Sequence, residues 1–162
     1  MGRKKRWVSA GFIVLFALSL AFAFPDASQA AEELPMIDGS YLTNDEESVG
    51  QSTGITRGED LLLGYSKSAR KGPGLLYAGG STIAAHTVER VGIAVMVERA
   101  QKGDTEWEFY DGWQKFSDDK DRISSNQVLN VEGGYYYRVR CIHSANSDVS
   151  SSFTNGVFIE KP

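Results

Sequence analysis

The sequence predicts an all-β protein: a small β-sandwich of six to seven antiparallel strands over residues 75–162, preceded by a signal peptide at 1–30 and an irregular acidic arm at 31–74. Three observations carry that reading. From Leu75 onward, short runs rich in β-branched and aromatic residues recur between turn residues, the spacing of sandwiches and barrels rather than of helices. Between Arg90 and Arg99, Val91, Ile93, Val95 and Val97 alternate with Gly92, Ala94, Met96 and Glu98, the period of a strand with one face on a core. Cys141 is the single cysteine, so no internal disulfide is available and stability has to come from packing.

The chain opens on four cations, Arg3 to Arg6, followed by an apolar run from Trp7 to Phe24 and then Ser28-Gln29-Ala30. Charge, grease and small-x-small in that order form a secretory leader, with the cut expected after Ala30 and a second possible cut at Ala21-Phe22-Ala23. If it is not removed, the run is just long enough to anchor the chain in a membrane, which takes about 17–25 apolar residues. Removing 1–30 leaves 13 Lys and Arg against 20 Asp and Glu, a net charge of −7. A surface of that sign repels phosphate backbones and speaks against nucleic acid. The expected location is secreted, outside the cell or in its envelope.

Residues 31–58 are acidic and turn-rich, with Asp38-Gly39, Asn44 to Ser48 and Gly50, and read as an extended arm. Leu61 to Tyr65 is a short apolar run, the possible seventh strand. Ser66 to Gly74, with Lys67, Arg70, Lys71 and Gly72-Pro73-Gly74, reads as a basic loop. Strands are then expected at 75–87, 90–99 and 105–116. The Asp111-Gly112 break is taken as a bulge, because each arm of a hairpin turning there would be very short. Ser117 to Asp121 is a charged loop, Arg122 to Val131 a weaker strand, and Tyr135 to His143 the strongest. Ser151 to Glu160 closes the sheet, kinked at Asn155-Gly156.

Val128 to Arg140, a hydrophobic strand, a Glu132-Gly133-Gly134 turn and then Tyr135-Tyr136-Tyr137-Arg138-Val139, resembles the E-to-F corner of fibronectin type III and immunoglobulin-like sandwiches. The resemblance implies that Tyr135 or Tyr137 is buried with its hydroxyl bonded to backbone. Trp107 stands on the third expected strand, as in immunoglobulin domains, but without the cystine it normally packs against. From about Gly79 to Ile159, ending in Gly134-Tyr135-Tyr136-Tyr137-Arg138-Val139 and His143, the chain is also similar to a group of short secreted Gram-positive proteins. That likeness implies export and a sandwich, and no activity.

Candidate chemistry is sparse. His86 and His143 lie in no metal spacing, and they read as hydrogen-bonded strand residues. Cys141 with His143, which shares its strand face, or with His86 is the one nucleophile–base candidate, with burial of the thiol as an apolar filler the expectation. Asp118, Asp119 and Asp121 lack the pattern of a calcium loop, as do Asp45 to Glu47, and read as solvated acidic loops. No metal and no cofactor is expected. Trp107, Phe109, Tyr110 and Phe116 are assigned to the core. The candidate ligand-binding residues are Trp113, Tyr136, Arg138 and Arg140, rings and guanidinium groups suited to stacking on a glycan or an envelope or extracellular protein. The expected function is a non-enzymatic binding module. The alternative is a small cell-wall-directed hydrolase or an enzyme-inhibitor-like secreted factor.

Overall fold

The computed structural model describes residues 34–52 and 58–162, and the expected leader and its cut site lie outside them. Glu33–Pro162 forms one compact unit. The described residues hold nine strands and no helix, joined in one mixed, curled sheet. They are β1 (Met36–Ile37), β2 (Ser40–Thr43), β3 (Glu47–Gln51), β4 (Leu61–Gly72), β5 (Leu75–Ala100), β6 (Glu108–Asn130), β7 (Tyr135–Ala145), β8 (Asp148–Phe153) and β9 (Gly156–Ile159). The order is β1-β2-β9-β7-β5-β4-β3, with β6 on β5 and β8 on β7. All pairings are antiparallel except β2 with β9, so the expected fully antiparallel set of six or seven strands is both enlarged and mixed.

The sheet is organised by one long hairpin, β5–β6, folded at mid-length. Its register jumps between Ile83↔Arg122 and Val88↔Lys120, leaving Ala84 to Thr87 opposite the single residue Asp121. Three surplus residues on one strand bend the ladder sharply, and Asp119 supports the bend with a left-handed φ of 53°. Beyond it each strand faces its own earlier half. The Thr82 hydroxyl donates to the Gly92 carbonyl at 2.9 Å, and Trp113 Nε1 donates to Ser125 Oγ at 3.0 Å. A side chain at Gly80 would meet Cys141 Sγ and Ile93. The charged Ser117–Asp121 segment is therefore the bend within β6, not a loop between two strands.

The edge of β5 away from β6 is divided between two neighbours. Its first half pairs with β4 and its second half with β7. The two neighbours also meet, Ser68 Oγ on the Tyr137 carbonyl at 3.1 Å. Leu76, Ala78, Val91, Ile93, Val95, Val97, Tyr137, Val139, Cys141, Val157 and Ile159 fill the interior in one cluster. The four alternating residues of the 90–99 segment are all within 1% of full burial, as the pattern predicts.

Residues 31–74 depart from the expected arm wherever the structure describes them. Ile37↔Ser40 closes β1–β2 around Asp38-Gly39, both with positive φ (44° and 77°), the two-residue turn that suits a right-twisted hairpin. The supposed basic loop is mostly strand. Lys67 and Arg70 lie on β4, and only Pro73-Gly74 turns, with Gly74 at φ 66°. Serines at 66 and 68 point inward there, which masks the strand from any reading by hydrophobic alternation.

Candidate functional site

Residues directly opposite one another on paired strands share a face, so the register defines what the second half of β5 presents outward with β6 and β7. One row holds Phe116, Gly92 and Ser144; the next Gln114, Ala94, Ile142 and Ser151; a third Gly112, Met96, Arg140 and Phe153. Phe109 (62% exposed), Phe116, Ile142, Val149 and Phe153 are all exposed. The middle of this face is floored by small residues, and the rings lie across them. A Cβ at Gly92 would fall 2.5 Å from the Phe116 ring, and one at Gly112 would fall 3.2 Å from the Phe109 ring. Arg90 stacks over Phe116 at 4.9 Å. Between Phe109, Met96, Ala94, Gly112 and Gln114 a shallow recess of about 340 Å³ opens to solvent.

This arrangement exchanges the rings assigned from sequence. Phe109 and Phe116 belong outside, whereas Trp113 sits opposite Val95, donates to Ser125 Oγ and packs against the core. The cause is the bulge at Tyr110. Val97 pairs with Asp111 and Glu98 with Phe109, so the surplus residue turns Phe109 to the face opposite Trp113. A bulge is present one residue ahead of the expected Asp111-Gly112 position, whose two residues stay in register with Val97 and Met96, and its consequence for facing was not foreseen.

The three other candidates share the outer face of β7 but are mostly occupied. Tyr136 packs on Phe158 at 5.0 Å and joins a small cluster with Ile37, Leu42, Ala100 and Trp107. Arg138 is 3% exposed. Its Nε donates to Glu98 Oε2 at 2.6 Å, its Nη1 to the Asp38 carbonyl at 2.9 Å and its Nη2 to Asp38 Oδ2 at 2.9 Å. The guanidinium also stacks on Trp107 at 4.7 Å. Those bonds hold the Asp38 carboxyl below its usual range and fasten the β1–β2 turn to β7. Arg138 is thus a structural clamp. Arg140 gives Nη2 to Glu98 Oε1 at 2.5 Å, yet its side chain stays 41% exposed beside Met96 and Phe153. Of the four residues, Arg140 alone is available on the aromatic face.

Cys141 and His143 are both inside, with no measurable exposure. The thiol points at the Gly79 carbonyl, 3.8 Å away, and burial pushes its pKa up to about 12. The His143 ring lies against the Gly64 backbone and is held at both nitrogens: Nδ1 with Thr82 Oγ1 and Nε2 with Ser152 Oγ, each at 2.8 Å. The Thr82 proton is committed to the Gly92 carbonyl, so Nδ1 carries the hydrogen and Nε2 accepts from Ser152. Burial lowers the His143 pKa to about 4. His86 is exposed and pairs with Asp60 at 3.0 Å. Among the described residues, no group of three or more His, Cys, Asp or Glu is arranged to hold a metal ion.

Tyr137 is fully buried, and its hydroxyl donates to the Glu132 carbonyl five residues upstream at 2.7 Å. Of the two tyrosines considered for that bond, it is Tyr137 that forms it. Beside it, Arg99 is ringed by Glu108, Glu132, Tyr110 and Tyr135. Comparison of the chain with protein-family models, curated proteins and solved structures gives no match.

Proposed function

We propose that this chain is an exported, non-enzymatic binding module that captures an envelope or extracellular partner, a glycan or a protein, on the outer face of β5, β6 and β7. The observation that carries the reading is the pair of exposed rings, Phe109 and Phe116, packed against the positions of Gly112 and Gly92. Apolar groups left in water across a continuous face are characteristic of interaction surfaces. Rings braced by the sheet lose little freedom on contact, which favours association. Arg140 and Arg90 add cations to the rim of this face. Export is supported by the leader pattern of residues 1–30. An immunoglobulin-like sandwich is supported by the folded β5–β6 hairpin and by the Tyr137 hydroxyl bond across the Glu132–Gly134 corner.

The hydrolase alternative draws on Cys141 with His143, and both lie beneath the sheet with their polar atoms engaged by Gly79, Thr82 and Ser152. The test is retention of the purified protein on isolated bacterial cell envelopes, compared with a Phe109→Ser/Phe116→Ser variant of unchanged melting temperature. Binding by the wild type and at least tenfold weaker retention of the variant is expected. Equal retention of the two, or none by either, overturns the reading.

A further inference from the structure

Building on that reading, we propose that the partner is an extended polypeptide, taken up as an added antiparallel strand on the open edge of β6 between Gly112 and Phe116. Among the described residues β6 pairs only with β5, so one edge of its 23 residues faces no strand. The direction of its backbone groups follows from the neighbouring ladder. Val139 donates its N–H to Thr154 Oγ1 and accepts at its carbonyl from the Thr154 N–H, both at 3.0 Å. Its groups therefore turn away from β5, and the facing residue Val97 bonds on its other side, to Asp111. Alternation then aims the N–H and C=O of Gln114 and Phe116 at the open edge.

Those two residues also carry their side chains on the aromatic face, next to Ala94 and Gly92. A strand hydrogen-bonded here would lay alternate side chains along the Phe116 ring and into the 340 Å³ recess between Phe109 and Gln114. Backbone pairing would supply affinity and the recess specificity, the division of labour in strand addition. The stretch is bounded at one end by the Tyr110 bulge and at the other by the bend at Asp119, room for about eight residues at the strand rise of about 3.3 Å each.

The far half of the same edge is treated differently. There Lys115 Nζ donates to the Ser124 carbonyl at 3.1 Å, and the Tyr110 hydroxyl donates to the Asn130 carbonyl at 3.5 Å. Edges that must stay single are usually blunted in this way, by charge or by cover. In the near half, among the described residues, only the Gly112 N–H is taken, by the adjacent Asp111 carboxylate at 2.7 Å. The contrast within one strand singles out Gln114 and Phe116 as the open docking positions.

The experiment pans a displayed library of random heptapeptides against the purified protein, with a panel of soluble cell-wall glycan fragments titrated in parallel. Enriched peptides are resynthesised with N-methyl groups on alternate residues, in both phases. One phase is expected to weaken binding at least tenfold and the other to leave it within twofold, because only alternate amides pair with β6. Gln114→Pro should abolish binding, since its N–H serves no existing ladder bond; the N-methyl series probes the same contact without touching the fold. The proposal is overturned if no peptide is enriched, if only the glycans bind, or if both N-methyl phases bind like the parent. Phe116→Ser separates the two readings. Sensitivity to N-methylation with no effect of Phe116→Ser keeps the strand and removes the aromatic face, and the opposite pattern keeps the face and removes the strand.

Discussion

The ring of His143 makes acid stability a quantitative test of how the interior is built. Its neutral form is fixed by Thr82 and Ser152, and its surroundings leave a charge unsolvated, lowering its pKa to about 4. In the unfolded chain an ordinary histidine titrates near 6.5. Between those values the unfolded chain takes up a proton that the native fold refuses, so stability falls as the solution is acidified. At about 1.4 kcal/mol for each pH unit, the loss amounts to about 3 kcal/mol. It is absent above pH 6.5, grows down to pH 4 and is constant below that. Carboxylates titrate in part of the same range, so the measurement is a difference. Urea unfolding midpoints are followed from pH 7.5 to pH 3.5 for the wild type and for His143→Gln, which has no ring to protonate. The variant is expected to start less stable, having lost packing against Gly64. The gap should close by about 3 kcal/mol as the pH drops to 4. A gap that stays constant with pH would refute the burial of a neutral ring, as would a nuclear magnetic resonance titration placing His143 near 6.5.

Two further outcomes follow from the same interior. Glu98→Ala removes one of the two carboxylates that hold Arg138, a cation 3% exposed that keeps Asp38, and is expected to destabilise the protein by about 1–3 kcal/mol, the usual cost of leaving one buried donor without its partner. Chemical denaturation measures it, and a cost below about 1 kcal/mol would contradict the clamp. Native Cys141 should react with a maleimide only as fast as the fold opens, because the thiol is buried and its pKa is raised to about 12; labelling within seconds in native buffer would contradict its placement beside Gly79.

What the sequence disclosed and concealed follows from the physics of each stretch. Val91 to Val97 alternates cleanly because one face meets the interior, and the Tyr135–His143 strand is legible for the same reason. Only the start of strand β4, Leu61 to Tyr65, was legible as a possible strand, and the rest was not, because its inward positions include Gly64, Ser66 and Ser68, small groups beneath His143 and beside Tyr137. Charge at Asp118, Asp119 and Asp121 suggested a loop, whereas a strand with an open edge and a sharp bend tolerates carboxylates on every exposed side. Arg138 looked free because its acceptors, Glu98 and Asp38, stand 40 and 100 residues away in the chain. The aromatic face was half visible. The rings were noticed, but Gly92 and Gly112 gave no sign that they would carry Phe116 and Phe109, because that pairing exists only once the Tyr110 bulge sets the register.

The doubled-back hairpin has a bearing on how this protein comes apart. Because a single backbone runs through both walls around the interior, neither wall has an independent boundary at which to detach. Ladder contacts at Ile83 and at Val88 belong to one strand separated by four residues, so loosening one wall tugs directly on the other. Loss of structure should therefore be a single concerted event, with amides of Thr82 and Val95 exchanging with deuterium at the same, globally limited rate.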